Sequence, residues 1–320
     1  GYLKDNSVWK KVKLWLEALK VLVKIKDNRL GVLGHYYNGM LDVYTDLTKL
    51  SLSFGTHIEL IEMCELKSLW DRVSQDEIVK KINEFKNVFD VVDKCEIFEI
   101  KRAARTSVAL DKLIKNHDLG SMAYYYEGQP DNEYENIVTS VIAGNTLLTG
   151  NNIPIAGECE VKNAQAMKIL AEFGAGGSFS EFYLMDFEED IVLLGHDGPA
   201  HHAIAQEKVK LVPLPLYHGK PGKGLSIEMN VKNGPITLLS IVQGKSKMKL
   251  LVAEGESVDG PILKIGNTNS RYKFSLGVKE FINSWSIEGP SHHCAIGVGH
   301  IADKIEKFGY LLNLEVIKIC

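Results

Sequence analysis

The chain has 320 residues, of which 45% are hydrophobic and 24% charged, with a net charge of −4. That length accommodates two domains at roughly 100–200 residues each. The mild negative charge, with lysines spread along the chain rather than gathered into a stripe, gives no electrostatic case for nucleic acid or an anionic membrane as partner.

The first half alternates helix and strand. Ser7 precedes a helix expected over about 8–25, with Val12, Trp15, Leu16, Leu19 and Val23 forming its apolar stripe. Arg29 to His35 reads as a buried strand ending in a turn, Asp42 to Phe54 as a helix, and Ile58 to Met63 as a second strand. Ser74 with Glu77 forms a capping box that opens a helix over about 75–89. A helix over about 101–117 then leads into the strand Ser121 to Tyr126, and another helix follows Asn132. The helical spacing of Ala164, Met167, Ile169, Leu170 and Phe173 predicts a helix from Glu158 to Phe173, ended by Gly174-Ala-Gly-Gly177. This rhythm predicts a layered α/β domain with a mostly parallel sheet.

Beyond Gly177 the period changes to two. Ile191 to Gly195 reads as a continuous apolar strand. Lys208 to Tyr217, Gly224 to Val231, Ile236 to Val242 and Lys247 to Glu254 read as successive strands joined by turn-forming segments, an antiparallel sheet of barrel type. A strand at 293–298, a helix at about 300–308 and a strand at 312–319 close the chain. The expected division is 1–176 and 177–320. No apolar run approaches the roughly 18 residues that span a bilayer. The start, Gly1-Tyr-Leu-Lys-Asp-Asn, lacks the form of a secretion signal. Five cysteines, an odd number without a Cys-x-x-Cys pair, exclude a complete disulfide framework. A reduced, cytoplasmic setting is expected.

The chemistry-bearing residues lie in the second half, each near a glycine turn or a strand edge. They are Glu158 in Ala-Gly-Glu-Cys-Glu, Glu181 in Gly-Gly-Ser-Phe-Ser-Glu, His196 in Leu-Leu-Gly-His-Asp, and His292-His293 in Gly-Pro-Ser-His-His. Glu158 taken alone reads as an acid at a helix start, and Glu160 competes with it as the functional carboxylate. Glu181 sits among residues that want burial, where a carboxylate needs a partner. Adjacent histidines at a strand start are expected to point to opposite sides, so that one faces a metal and the other a substrate. His201-His202 show no spacing that reads as ligation, and Tyr124–Tyr126 read as strand core. Two carboxylates and two imidazoles fill most of the shell of one divalent cation, and a carboxylate beside such an ion can move a proton on a carbonyl substrate.

Pro154-Ile-Ala-Gly-Glu-Cys-Glu, the Gly-Gly-Ser-Phe-Ser-Glu block, Leu193-Leu-Gly-His and Gly289-Pro-Ser-His-His resemble, in order and approximate separation, the metal-site motifs of the L-arabinose isomerase and L-fucose isomerase superfamily. The arabinose branch is the nearer, and Arg29-Leu-Gly-Val-Leu-Gly-His-Tyr-Tyr-Asn-Gly-Met-Leu-Asp is similar to the start of that family's central domain. The resemblance implies a flavodoxin-like domain followed by a β-barrel-like domain, and an aldose–ketose isomerase working through an ene-diolate. It implies Glu158, Glu181, His196 and His293 as ligands of a divalent ion, Mn(II) first and Co(II) or Fe(II) next, with the two glutamates doubling as the acid–base pair and His292 near the sugar. It also implies trimers or hexamers. Family subunits carry a further N-terminal domain, so a fragment, a split gene product or a trimmed subunit is expected, with a separate N-terminal domain or chain as possible partner. His196 is followed by Asp-Gly-Pro-Ala-His rather than the Met-Leu-Glu usual in arabinose isomerases, which bears on sugar preference. The alternative is a non-catalytic sugar-binding or assembly subunit that keeps the fold.

Overall fold

The computed structural model describes the chain except residues 1, 3, 128–130, 215, 218–219, 222 and 264–267. Four parallel strands form the first sheet: β1 (Arg29–Gly34), β2 (His57–Ile61), β3 (Ser121–Tyr125) and β4 (Ile155–Ala156), in the order β2-β1-β3-β4. Successive side chains alternate between its faces. Leu30, Val32 and Ala123 join one apolar cluster with Ala18, Ile25 and Leu50, whereas Leu33, Met122 and Tyr124 join another with Leu66, Phe85 and Leu110. Helices therefore cover both faces.

The second sheet is a closed six-stranded antiparallel barrel. Its strands are β5 (Gly176–Asp186), β6 (Ile191–His196), β7 (Gly234–Gln243), β8 (Met248–Val258), β9 (Thr268–Phe274) and β10 (His293–Val298). They run in the order β7-β10-β5-β6-β9-β8, and β8 pairs back onto β7. The last strand, β11 (Glu315–Lys318), adds in parallel to β8. Cys294 and Ile296 of β10 belong to the cluster of Leu33, Met122 and Phe85, while Ala295 and Phe179 pack with Ala156, Ala164 and Met167. The outer face of β5 and β10 is thus applied to the helix Val161–Glu172, which lies between barrel and parallel sheet. The α/β class and the barrel agree with the sequence reading.

Several details differ from it. The strands Lys210–Pro213 and Leu225–Glu228 pair with each other as expected, but they join Asp90–Val91 in a separate small sheet instead of the barrel. Position 215 of the expected strand 208–217 lies outside the described residues. Strand β9 and the helix Gly277–Ile287 were not foreseen.

The first helix, Asn6–Lys26, is capped by Asp5 rather than Ser7, whose backbone N–H donates to the Asp5 carboxylate. It buries Ala18, Val21, Leu22 and Ile25. That set is itself spaced i, i+3, i+4, i+7, so the helix carries two apolar sectors, and periodicity alone selected the other one. Leu16, Leu19 and Val23 stay exposed, and Trp15 stands edge-on to Tyr310 with ring centroids 5.3 Å apart. The capping box is formed as read: Ser74 and Glu77 exchange side-chain-to-backbone bonds at the start of the helix Gln75–Val88.

Candidate metal centre

The site forms where three barrel strands meet the loop after β4. Strand pairing sets half of it. His293, the first residue of β10, lies directly opposite Glu181 on β5, and Glu181 in turn faces Gly195 on β6. His196 ends β6, where Thr268 brackets it by accepting from its N–H and donating to its carbonyl. The other half comes from backbone conformation. Glu158 and Cys159 have φ of 54° and 57°, a left-handed pair rare for residues with a Cβ. The helix expected from Glu158 therefore starts only at Val161. Glu158 is not a helix-start acid; its carboxylate reaches toward the barrel.

The expected ligands converge. Glu158 Oε1 lies 3.7 Å from His196 Nε2, and Glu158 Oε2 lies 3.5 Å from His293 Nε2. Glu181 Oε2 lies 4.0 Å from His293 Nε2 and 3.8 Å from His292 Nε2. Two overlapping ligand groups result: Glu158, His196 and His293, all buried, and Glu181, His292 and His293, more open, with donor atoms in each group within 4.8 Å of one another. Phe179 packs against both His196 and His293, with centroid separations of 4.5 and 4.4 Å, and dries that side of the cluster.

His292 departs from expectation. The strand begins at His293, so the pleat that would send neighbours to opposite sides does not extend to His292. Both rings face the two glutamates, with centroids 3.8 Å apart and planes tilted by 40°.

Glu160, the competing carboxylate, does something else. It is fully buried and accepts from Ser291 Oγ at 2.5 Å and pairs with His293 Nδ1 at 2.6 Å. A carboxylate on the far nitrogen of a ligating histidine fixes the ring and its tautomer. Ser291 carried no sequence signal beyond its place beside the histidines. His201 and His202 stay apart from this cluster, and burial pushes His201 down to about 4, leaving it neutral.

The residues suit a divalent cation. Glu158 Oε2 and His293 Nε2 are buried without a hydrogen-bond partner, yet both point into the same space. Buried polar atoms left in that way need a counterpart. A mixed carboxylate and imidazole set matches manganese, cobalt, iron(II) or zinc.

Beside Glu158 and His196 opens a cavity of about 280 Å³, lined also by Tyr37, Tyr124, Tyr125 and Asn145. It lies off the carboxyl ends of β1, β3 and β4, the usual ligand position in open parallel sheets. Tyr124 to Tyr126 are therefore not simply core: of the three only Tyr124 is buried, and all three line the cavity.

Burial works against an ionised Glu158, but the imidazoles of His196, His292 and His293 outweigh it and hold the carboxyl well below its ordinary range. Burial likewise disfavours charged His292, and the nearby carboxylates of Glu158 and Asp42 outweigh it, pushing it up to about 9. A raised imidazole contributes stability that is complete below its unfolded value near 6.5 and lost as pH rises through about 9. Metal-free protein should therefore melt at progressively lower temperature between these values. In His292→Gln that decline should flatten; an identical pH dependence of melting in both proteins would contradict the assignment.

Residues 176–315 match the family described as the L-arabinose isomerase C-terminal domain. Similar curated proteins extend over the whole chain. The sulfoquinovose isomerase of Alkalicoccus urumqiensis is 21% identical over 321 residues, covering 98% of this chain and 70% of that protein. The L-arabinose isomerase of Thermotoga neapolitana is 21% identical over 329 residues (100% and 65%), and that of Bacillus subtilis 21% over 336 residues (100% and 66%). The chain thus spans about two thirds of the length of the curated relatives it matches. No helix among the described residues is long and apolar enough to cross a membrane. The barrel thus matches that C-terminal domain, the remaining residues align with the same curated proteins, and the chain is similar along its whole length to proteins named as sugar isomerases.

Proposed function

We propose that this chain carries the active site of a metal-dependent aldose–ketose isomerase acting through an ene-diolate. The observation that carries the reading is the convergence of Glu158, Glu181, His196 and His293 from separate loops and strands onto one small space. In this reading those four hold the ion, with Mn(II) favoured and Co(II) or Fe(II) acceptable. When bound, the ion supplies the electrophilic charge that stabilises the ene-diolate oxygens.

The chain's own groups do the rest. One of the two glutamates removes the C2 proton of the aldose and the other exchanges protons with the sugar oxygens. Glu181 is half-buried, whereas Glu158 is buried and lines the cavity. His292 presents Nε2 to both carboxylates and binds the sugar. Phe179 keeps water from the rear of the site. The division of labour follows residues 1–176, which supply Glu158 and most of the cavity wall, and 177–320, which supply the other three ligands and the rest of the wall. The exposed apolar sector of the first helix supports burial against other subunits, in keeping with trimers or hexamers.

The test combines metal analysis of the purified protein with an aldose screen, including L-arabinose, L-fucose and sulfoquinovose, in light and heavy water. Expected are about one divalent ion per chain and a ketose carrying deuterium at C1. A ketose without deuterium would replace proton transfer by a hydride shift. Bound metal with no turnover on any sugar would favour a non-catalytic sugar-binding subunit.

A further inference from the structure

His292 and His293 adjoin in sequence, yet each is gripped at Nδ1 by a carboxylate from a different part of the chain. Glu160 holds His293. Asp42, in the short turn Leu41–Val43, holds His292: its Oδ2 pairs with the ring Nδ1 at 2.6 Å and accepts from the His292 backbone N–H at 3.0 Å. The turn is fixed in its own right. Lys162, only 4% exposed, donates from Nζ to the carbonyl of Asp42 at 2.5 Å and to that of Tyr44 at 3.5 Å. Glu160 and Lys162 both belong to the start of the helix Val161–Glu172, as N-cap and second residue. One helix start therefore sets both grips, Glu160 directly and Lys162 through the Asp42 turn.

With Nδ1 committed, His292 has only Nε2 left to offer. That atom lies 3.7 Å from Glu158 Oε2 and 3.8 Å from Glu181 Oε2. Turning the ring over would set a C–H group against the Asp42 carboxylate and forfeit the charge-assisted bond. We infer that Asp42 is the positioning residue of the site: by holding His292 at two points, it keeps Nε2 aimed into the gap between Glu158 and Glu181. The catalytic consequence rests on the isomerase reading above; the orientation itself does not.

Asp42→Ala and Asp42→Asn test this with three readouts. The first is the ¹⁵N resonance of His292 Nδ1 in histidine-labelled, metal-free protein, assigned with His292→Gln. The second is Mn(II) affinity, followed by the signal of free Mn(II). The third is turnover of L-arabinose as probe sugar. In Asp42→Ala the Nδ1 resonance should move, Mn(II) affinity should stay within about threefold, and kcat/KM should fall at least about tenfold, the scale on which small misplacements act. Asp42→Asn keeps an acceptor oxygen and should recover part of the loss. An unchanged Nδ1 resonance would overturn the inference, as would loss of Mn(II) affinity in step with lost turnover. Should the unsubstituted protein turn over none of the sugars, the isomerase reading fails, while the nitrogen resonance still decides the role of Asp42.

Discussion

Glu181→Gln should lower kcat by about three orders of magnitude, within the range ascribed to a positioned acid or base, while the fold is left intact. The substitution keeps shape and removes the proton-carrying group. Glu181 lies on a barrel strand with its side chain 27% exposed, so an amide there is solvated on one side and leaves no buried charge unpaired. It belongs to the more open of the two ligand groups, and the all-buried trio of Glu158, His196 and His293 remains to hold the ion. Turnover should thus collapse further than Mn(II) affinity does. Steady-state kinetics beside a Mn(II) titration separates the two, and wild-type turnover in Glu181→Gln would remove it from the acid–base pair.

Glu160→Ala should act in the opposite proportion, on stability and metal first. The carboxylate is completely enclosed and is the partner of both Ser291 Oγ and His293 Nδ1. Removing it strands two buried polar groups and a cavity, a loss of about 3 kcal/mol in unfolding free energy. His293 would also lose the bond that fixes its ring, and such outer-shell changes typically weaken metal binding by about 10–100-fold. Urea unfolding and Mn(II) titration measure the two effects. Unaltered affinity would mean that His293 is held by packing against Phe179 rather than by Glu160.

Much of this arrangement was legible in the sequence because it is local. Alternating apolar residues gave the strands, Ser74 with Glu77 gave a helix start, and glycines beside Glu158 and His196 marked tight backbone near the candidate ligands. What escaped was set by pairing at a distance. The opposition of Glu181 and His293 is a matter of strand register, which no local pattern encodes. The bond between Asp42 and His292 joins positions 250 residues apart. Glu160 read only as a rival to Glu158, because its role depends on where His293 arrives. The first helix misled for a different reason: of its two apolar sectors, only packing against the helix Ala302–Leu311 and its neighbours decides which is covered.

The backbone at Glu158 and Cys159 sets stability and chemistry against each other. Two consecutive side-chain-bearing residues in the left-handed region store on the order of 1–2 kcal/mol each, and the first of them also buries a carboxylate oxygen with no hydrogen-bond partner. Glycine at 158 would relax the chain and remove the buried acid together, so evolution toward robustness alone would erase this glutamate. On the isomerase reading proposed above, position 158 carries that cost for the ion it would hold, at the expense of the fold around it.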